Sequence, residues 1–176
     1  MEPLAVIVRP ERPADYDAIR ELNVRVFDEP DEGDIIDAMR GTADAIDGGS
    51  LVALDGTGHV IGHLLASRGV IVDDKGAERA VWMLGPFAVS AHVQGRGVGA
   101  RLMREQINRA TKRGAPLICL LGVEDYYPRF GFQPARPLGI EPPQPWADEH
   151  WMALKLPAYT PELRGHARYA APFNVG

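Results

Sequence analysis

The residues whose types and spacing most plainly suit chemistry are Gln94-Gly95-Arg96-Gly97-Val98-Gly99, between an apolar strand-like run, Val81–Val89, and a helix-like run, Val98–Lys112. Three glycines at alternate positions allow a tight turn and leave backbone N–H groups unobstructed. The helix that follows begins with donors that have no intrahelical acceptor. Aligned peptide dipoles add partial positive charge at the same point, so the combination suits a diphosphate. A glycine triplet alone is equally compatible with a plain turn, and its surroundings have to decide. Two familiar phosphate loops fail on what is missing. No GxxxxGK(S/T) occurs, and a dinucleotide site would need an acidic residue about twenty positions on. That region is Leu117-Ile118-Cys119-Leu120-Leu121, which reads as a buried strand.

The hexapeptide resembles the Q/R-x-x-G-x-G/A signature of the GNAT superfamily of acetyl-CoA-dependent N-acetyltransferases. A second match is Tyr126-Tyr127-Pro128-Arg129-Phe130-Gly131-Phe132, similar to that superfamily's YxxxGF element. Further similarity to a bacterial branch of unassigned substrate extends over nearly the whole chain, through Leu84–Val89, Met152–Leu156 and Arg168–Phe173. The resemblance implies a single-domain α/β fold whose mixed, mostly antiparallel sheet splays into a V between strands 4 and 5 and is flanked by helices. It implies acetyl-CoA as co-substrate, with no metal. The diphosphate would rest on Gln94, Gly95, Arg96, Gly97, Val98, Gly99 and Ala100, and the pantetheine would run along Phe87, Ala88 and Val89. Tyr127 would protonate the departing thiolate. The acceptor would be a small-molecule amine or a protein amino group, attacking directly in a ternary complex, and dimers are common among such proteins.

Acetyl transfer to an amine also needs a proton acceptor, because an alkylammonium must become neutral before it attacks. Glu124, just after the fifth strand, is the first choice, with Asp125, Glu29 and His63 behind it. Val123-Glu124 stands where the superfamily often has an asparagine. A rival reading is a non-catalytic acyl-CoA-binding regulatory module; a third, a nucleotide-dependent oxidoreductase, is disfavoured by the missing acidic residue.

With 176 residues and 45% hydrophobic content, one domain with a substantial core is expected, residues 1–156 with a tail, 157–176, packed on it. No apolar run is long enough to span a membrane and no signal-like segment opens the chain, which reads as cytoplasmic. A single cysteine, Cys119, excludes an internal disulfide. The net charge of −5 is uneven: residues 1–50 hold 13 acidic and 5 basic side chains, and residues 91–136 hold 3 acidic and 8 basic. An anionic ligand therefore fits the second half and a cationic one the first. Nucleic acid is disfavoured by the acidic total and the lack of an aromatic-basic patch. His59 and His63 share a strand face without a third ligand, so no metal site is expected.

The elements needed to position these residues can be read from pattern. Ile7 and Val8 suggest a first strand. Pro13 opens a helix with Tyr16, Ile19, Leu22 and Val26 on one face. The acidic stretch 28–34 leads to a second helix capped by Asp34, bearing Ile36, Met39, Ala43 and Ile46 and ended by Gly48-Gly49. Leu51–Leu54, Val60–Val72 and Val81–Val89 form antiparallel neighbours, with Gly85-Pro86 interrupting the last. The helix after the glycine loop buries Val98, Leu102, Met103, Ile107 and Ala110. It joins Val81–Val89 to Leu117–Gly122 as a parallel pair. A short helix, Glu124–Phe130, is stopped by Gly131. A proline-rich excursion, Pro134–Pro145, precedes the strand Trp151–Leu156.

Overall fold

Alternation of apolar residues and turn residues at Asp55-Gly56-Thr57-Gly58 and Asp73-Asp74-Lys75-Gly76 dictates a meander, and that meander is the centre of the sheet. The computed structural model describes residues 3–123 and 125–174. The strands are β1 (Ile7–Pro10), β2 (Ala45–Leu54), β3 (Val60–Val72), β4 (Glu78–Val89), β5 (Leu117–Leu121), β6 (Gln133–Pro134), β7 (Ile140–Glu141), β8 (Trp151–Lys155) and β9 (Gly165–Arg168). Their order is β1-β2-β3-β4-β5-β8-β6, with β9 pairing β3 and β7. The β4–β5 pair is parallel, Trp82 opposite Ile118 and Met83 opposite Cys119. β1–β2, β3–β9, β5–β8 and β6–β8 are antiparallel. The expected mixed, mostly antiparallel sheet is therefore present.

The helices are α1 (Tyr16–Phe27), α2 (Asp31–Met39) and α3 (Val98–Lys112). α2 starts and ends earlier than its apolar spacing suggests. Asp34 does not cap it; Asp34 lies in the first turn and accepts from Arg20 Nη2 at 2.6 Å. Ala43 and Ile46 are not helical. Arg40 swings to extended backbone, where its guanidinium grips Glu11 (Nε to Oε1, 2.9 Å) and lies 3.7 Å over the Tyr16 ring. The chain then enters β2 at Ala45, and Gly48-Gly49 lie inside that strand.

Two compact units make up the chain. The first comprises Met1–Ala66 and Gly85–Gln106, the second Ser67–Leu84 and Ile107–Gly176. In the first, Ile19, Leu22, Ile36, Leu51, Leu64 and Leu102 are buried. Gln106, in the apolar stripe of α3, is also fully buried, its Nε2 donating to Gly49 O at 2.6 Å and Leu64 O at 3.0 Å. In the second unit, Ile71, Met83, Leu117, Cys119, Trp151 and Leu163 form one cluster, with Tyr169 packed on it. The last twenty residues include a strand of the sheet, β9, antiparallel to Val70–Val72 of β3 and parallel to β7.

Candidate active site

The glycine loop is held at both ends by ordinary packing and hydrogen bonds. β4 delivers it: Ala88 is buried and Phe87 and Val89 half-buried in alternation, and Ser90 N donates to Ile61 O at 2.8 Å. Val93 is buried, anchoring the turn Ala91–Val93. Gln94, exposed, reaches back with Nε2 to Val89 O at 3.0 Å, so its side chain braces the loop against the end of β4. Gly95 and Gly97 sit at φ 77° and 85°, a region that penalises any Cβ. At both, the space a Cβ would occupy is open, with no atom within 4 Å.

Arg101 N donates to Gly97 O at 3.1 Å, so Gly97 caps α3. The amides of Val98, Gly99 and Ala100 then fall in a first helical turn without intrahelical acceptors. Val98 turns its side chain inward at 1% exposure, which leaves the backbone side of the turn to the loop. The arrangement offers a diphosphate an open cradle of donors with the helix dipole behind it. Phe87, Ala88, Val89 and Gln94–Ala100 thus belong together in the first unit.

Tyr127 belongs to the second unit, at the end of β5. The expected helix over Glu124–Phe130 is shorter and tighter, a 3-10 turn at Tyr127–Phe130 closed by Gly131 at φ 99°. Gly131 N donates to Pro128 O at 3.0 Å, and Arg129 Nε donates to Tyr126 O at 2.8 Å. The Tyr127 ring meets Tyr126 and Phe132 edge-on, with centroids 5.2 and 5.9 Å away. It also lies against the backbone of Gly122: a Cβ there would stand 2.9 Å from both Cδ2 and Cζ and closer still to Cε2. Burial, with the Tyr126 phenol contributing less, pushes the Tyr127 hydroxyl up to about 12. Glu124 lies outside the described residues.

His63 is no candidate for proton exchange with a ligand. It is fully buried, and burial, helped by the Arg40 charge, pushes its imidazole down to about 3. It belongs to a directed chain. Ser50 Oγ donates to Glu11 Oε2 at 2.7 Å, so it accepts from His63 Nε2 at 2.8 Å; Nδ1 then accepts from Asn23 Nδ2 at 3.3 Å. Cys119 is buried and its thiol is raised by that burial. Sequence reasoning missed Gly122, whose role is set by a contact with a residue five positions away. It also missed Gln106, although a polar residue spaced between Leu102 and Ala110 was visible. Among the described residues no group of three or more His, Cys, Asp or Glu is placed to hold a metal ion, and no helix is long and apolar enough to cross a membrane.

A mixed sheet with a parallel β4–β5 pair and a glycine loop between β4 and α3 defines the class of the molecule. The profile described as "Acetyltransferase (GNAT) domain" matches residues 7–135, and the chain belongs to this family. It is 34% identical over 167 residues to the uncharacterized N-acetyltransferase YjhQ of Escherichia coli strain K12, spanning 93% of this chain and 91% of that one. Among solved structures, the GNAT family N-acetyltransferase YhbS from Escherichia coli, in complex with CoA, superposes with a TM-score of 0.88 at 25% identity over 99% of this chain and 96% of that one. A GNAT family acetyltransferase from Brucella melitensis, in complex with acetyl-CoA, gives 0.78 at 32% identity over 97% and 99%.

Proposed function

We propose that the protein moves an acetyl group from acetyl-CoA to an amine, on a small molecule or a protein, by direct attack in a ternary complex. The observation that carries this reading is the loop: two glycines at positive φ with open space beside them, leading directly into the first turn of α3. The CoA and acetyl-CoA complexes of the two similar structures support the choice of donor. In this reading the amides of Gly95 and Gly97–Ala100 take the diphosphate, while Arg96 N closes the turn by donating to Val93 O at 3.3 Å; Gln94 braces the loop, and Phe87, Ala88 and Val89 offer strand backbone to the pantetheine.

Tyr127 gives its proton to the leaving sulfur. A phenol near 12 is protonated at all physiological pH, but handing its proton to a thiolate whose own pKa is near ~8.5 is uphill as an isolated step. The transfer is therefore coupled to C–S cleavage, and the phenolate regains a proton from the nitrogen that has just been acylated. The test is CoA-thiol release with primary amines. Tyr127→Phe should lower kcat by ~100-fold or more with acetyl-CoA affinity unchanged. Full turnover in that variant would overturn the assignment, and binding without turnover across a broad amine panel would favour the non-catalytic module.

A further inference from the structure

Gly122 is the meeting point of two side chains. One is Tyr127, whose ring covers it. The other is His150, which stands immediately before β8. β8 runs antiparallel to β5 with Leu121 opposite Trp151, so the last residues of β5 and the first of β8 share one end of the sheet. Gly122 N donates to His150 O at 2.9 Å, and His150 Nδ1 lies 3.1 Å from Gly122 O. A carbonyl oxygen only accepts, so Nδ1 carries the proton and the neutral ring presents an unprotonated Nε2. Its backbone is fixed as well. His150 N and Trp151 N both donate to Ala147 O, and Trp151 is fully buried with Nε1 donating to Ile140 O at 3.0 Å. The imidazole itself is exposed. A solvent-exposed imidazole whose Nδ1 is held by the carbonyl of the same residue that seats the phenol keeps Nε2 for proton uptake.

We propose that His150 is the proton acceptor for the incoming ammonium, an inference that rests on the acetyl-transfer reading above. Nε2 takes one proton from R–NH3+. The freed lone pair forms the C–N bond as the carbonyl electrons move to oxygen; collapse breaks C–S, the sulfur takes the Tyr127 proton, and the phenolate takes the second nitrogen proton. The proton on His150 leaves to solvent. Among the described residues, the other titratable or charged groups on the two segments that meet at Gly122 are Asp148 and Glu149 beside His150, and Asp125, Tyr126, Tyr127 and Arg129 after β5; Glu124 also follows β5 in the sequence. Of these, Asp148 is paired with Arg136.

His150→Asn separates proton uptake from placement, because the amide can still donate to Gly122 O but offers no base. With ethylamine, protonated at pH 7, kcat/KM should fall by ~100-fold, and the loss should shrink as pH rises and solution supplies the free amine. With methoxyamine, already neutral at pH 7, the rate should stay within ~3-fold of wild type. Tyr127→Phe should slow both amines alike. An equal loss on both amines for His150→Asn, or no loss on either, overturns the proposal, as does loss of the ethylamine acid limb in Glu124→Gln with His150→Asn silent. No turnover of these two amines or of any other in a broad panel of small-molecule and protein amines by the wild-type protein would defeat the acetyl-transfer reading itself. Nitrogen-15 NMR of the ring reads the geometry without turnover: the Nδ1–H tautomer of the neutral ring is expected, and the Nε2–H tautomer overturns the proposal.

Discussion

Glycine does opposite work in the two units. At Gly95 and Gly97 the backbone needs positive φ and the space beside it is empty; at Gly122 the backbone is unexceptional and the space is filled by the Tyr127 ring. The first pair shapes a receptor for something absent from the chain, whereas the second admits a side chain of the chain itself. Substitution should therefore hurt binding at one place and chemistry at the other.

The largest effect is expected at Gly122→Ala. The new methyl group occupies the position of the Tyr127 ring edge, and a phenol moved by about an ångström costs ~100-fold in kcat. Acetyl-CoA affinity by calorimetry should match wild type. If affinity falls and kcat at saturation does not, the division of labour between the two kinds of glycine is wrong.

A smaller effect concerns the interior of the first unit and sharpens the contrast between a closed polar chain and an exposed one. The unfolded chain protonates His63 near the ordinary value of 6.5, while the folded chain refuses the proton until about 3. Stability is therefore lost as pH falls through that window, at about 1.4 kcal/mol per pH unit. Between pH 7 and 5 the wild type should lose about 2 kcal/mol more than His63→Gln, as read by denaturant unfolding at the two pH values. Equal losses would mean that His63 is protonated in the folded protein.

The smallest effect is expected at Gly97→Ala. A Cβ at φ 85° costs roughly 1–2 kcal/mol of backbone strain, with no clash to add to it. Acetyl-CoA should bind ~10-fold more weakly while kcat at saturation stays near wild type. Unchanged binding would mean that the loop conformation is not the one that meets the coenzyme.

The same contrast explains what was legible in the sequence. The β3–β4 meander, α1, α3 and the glycine loop follow from local rules, that is, periodicity, turn residues and positive-φ glycines, and each is found where the pattern puts it. The end of α2 is not local. Ile36, Met39, Ala43 and Ile46 keep a helical spacing, yet Arg40 leaves the helix for Glu11 and Tyr16, far away in sequence, and the chain becomes β2. Gln106 is buried because two backbone carbonyls of β2 and β3 face it, which no helical pattern reveals. Tyr127 was visible through the motif around it. The seat that holds its ring, Gly122, depends on how the turn after β5 folds back, and the neighbour across from it, His150, is a product of strand pairing, so both could be read only from the fold.

The central claim is that the loop around residues 95–100 holds the coenzyme. Calorimetric titration of the purified protein with acetyl-CoA addresses it directly. Saturable one-to-one binding is predicted, weakened in Gly97→Ala and preserved in Tyr127→Phe. Absence of binding for both acetyl-CoA and CoA, or binding indifferent to the loop substitution, would contradict the account.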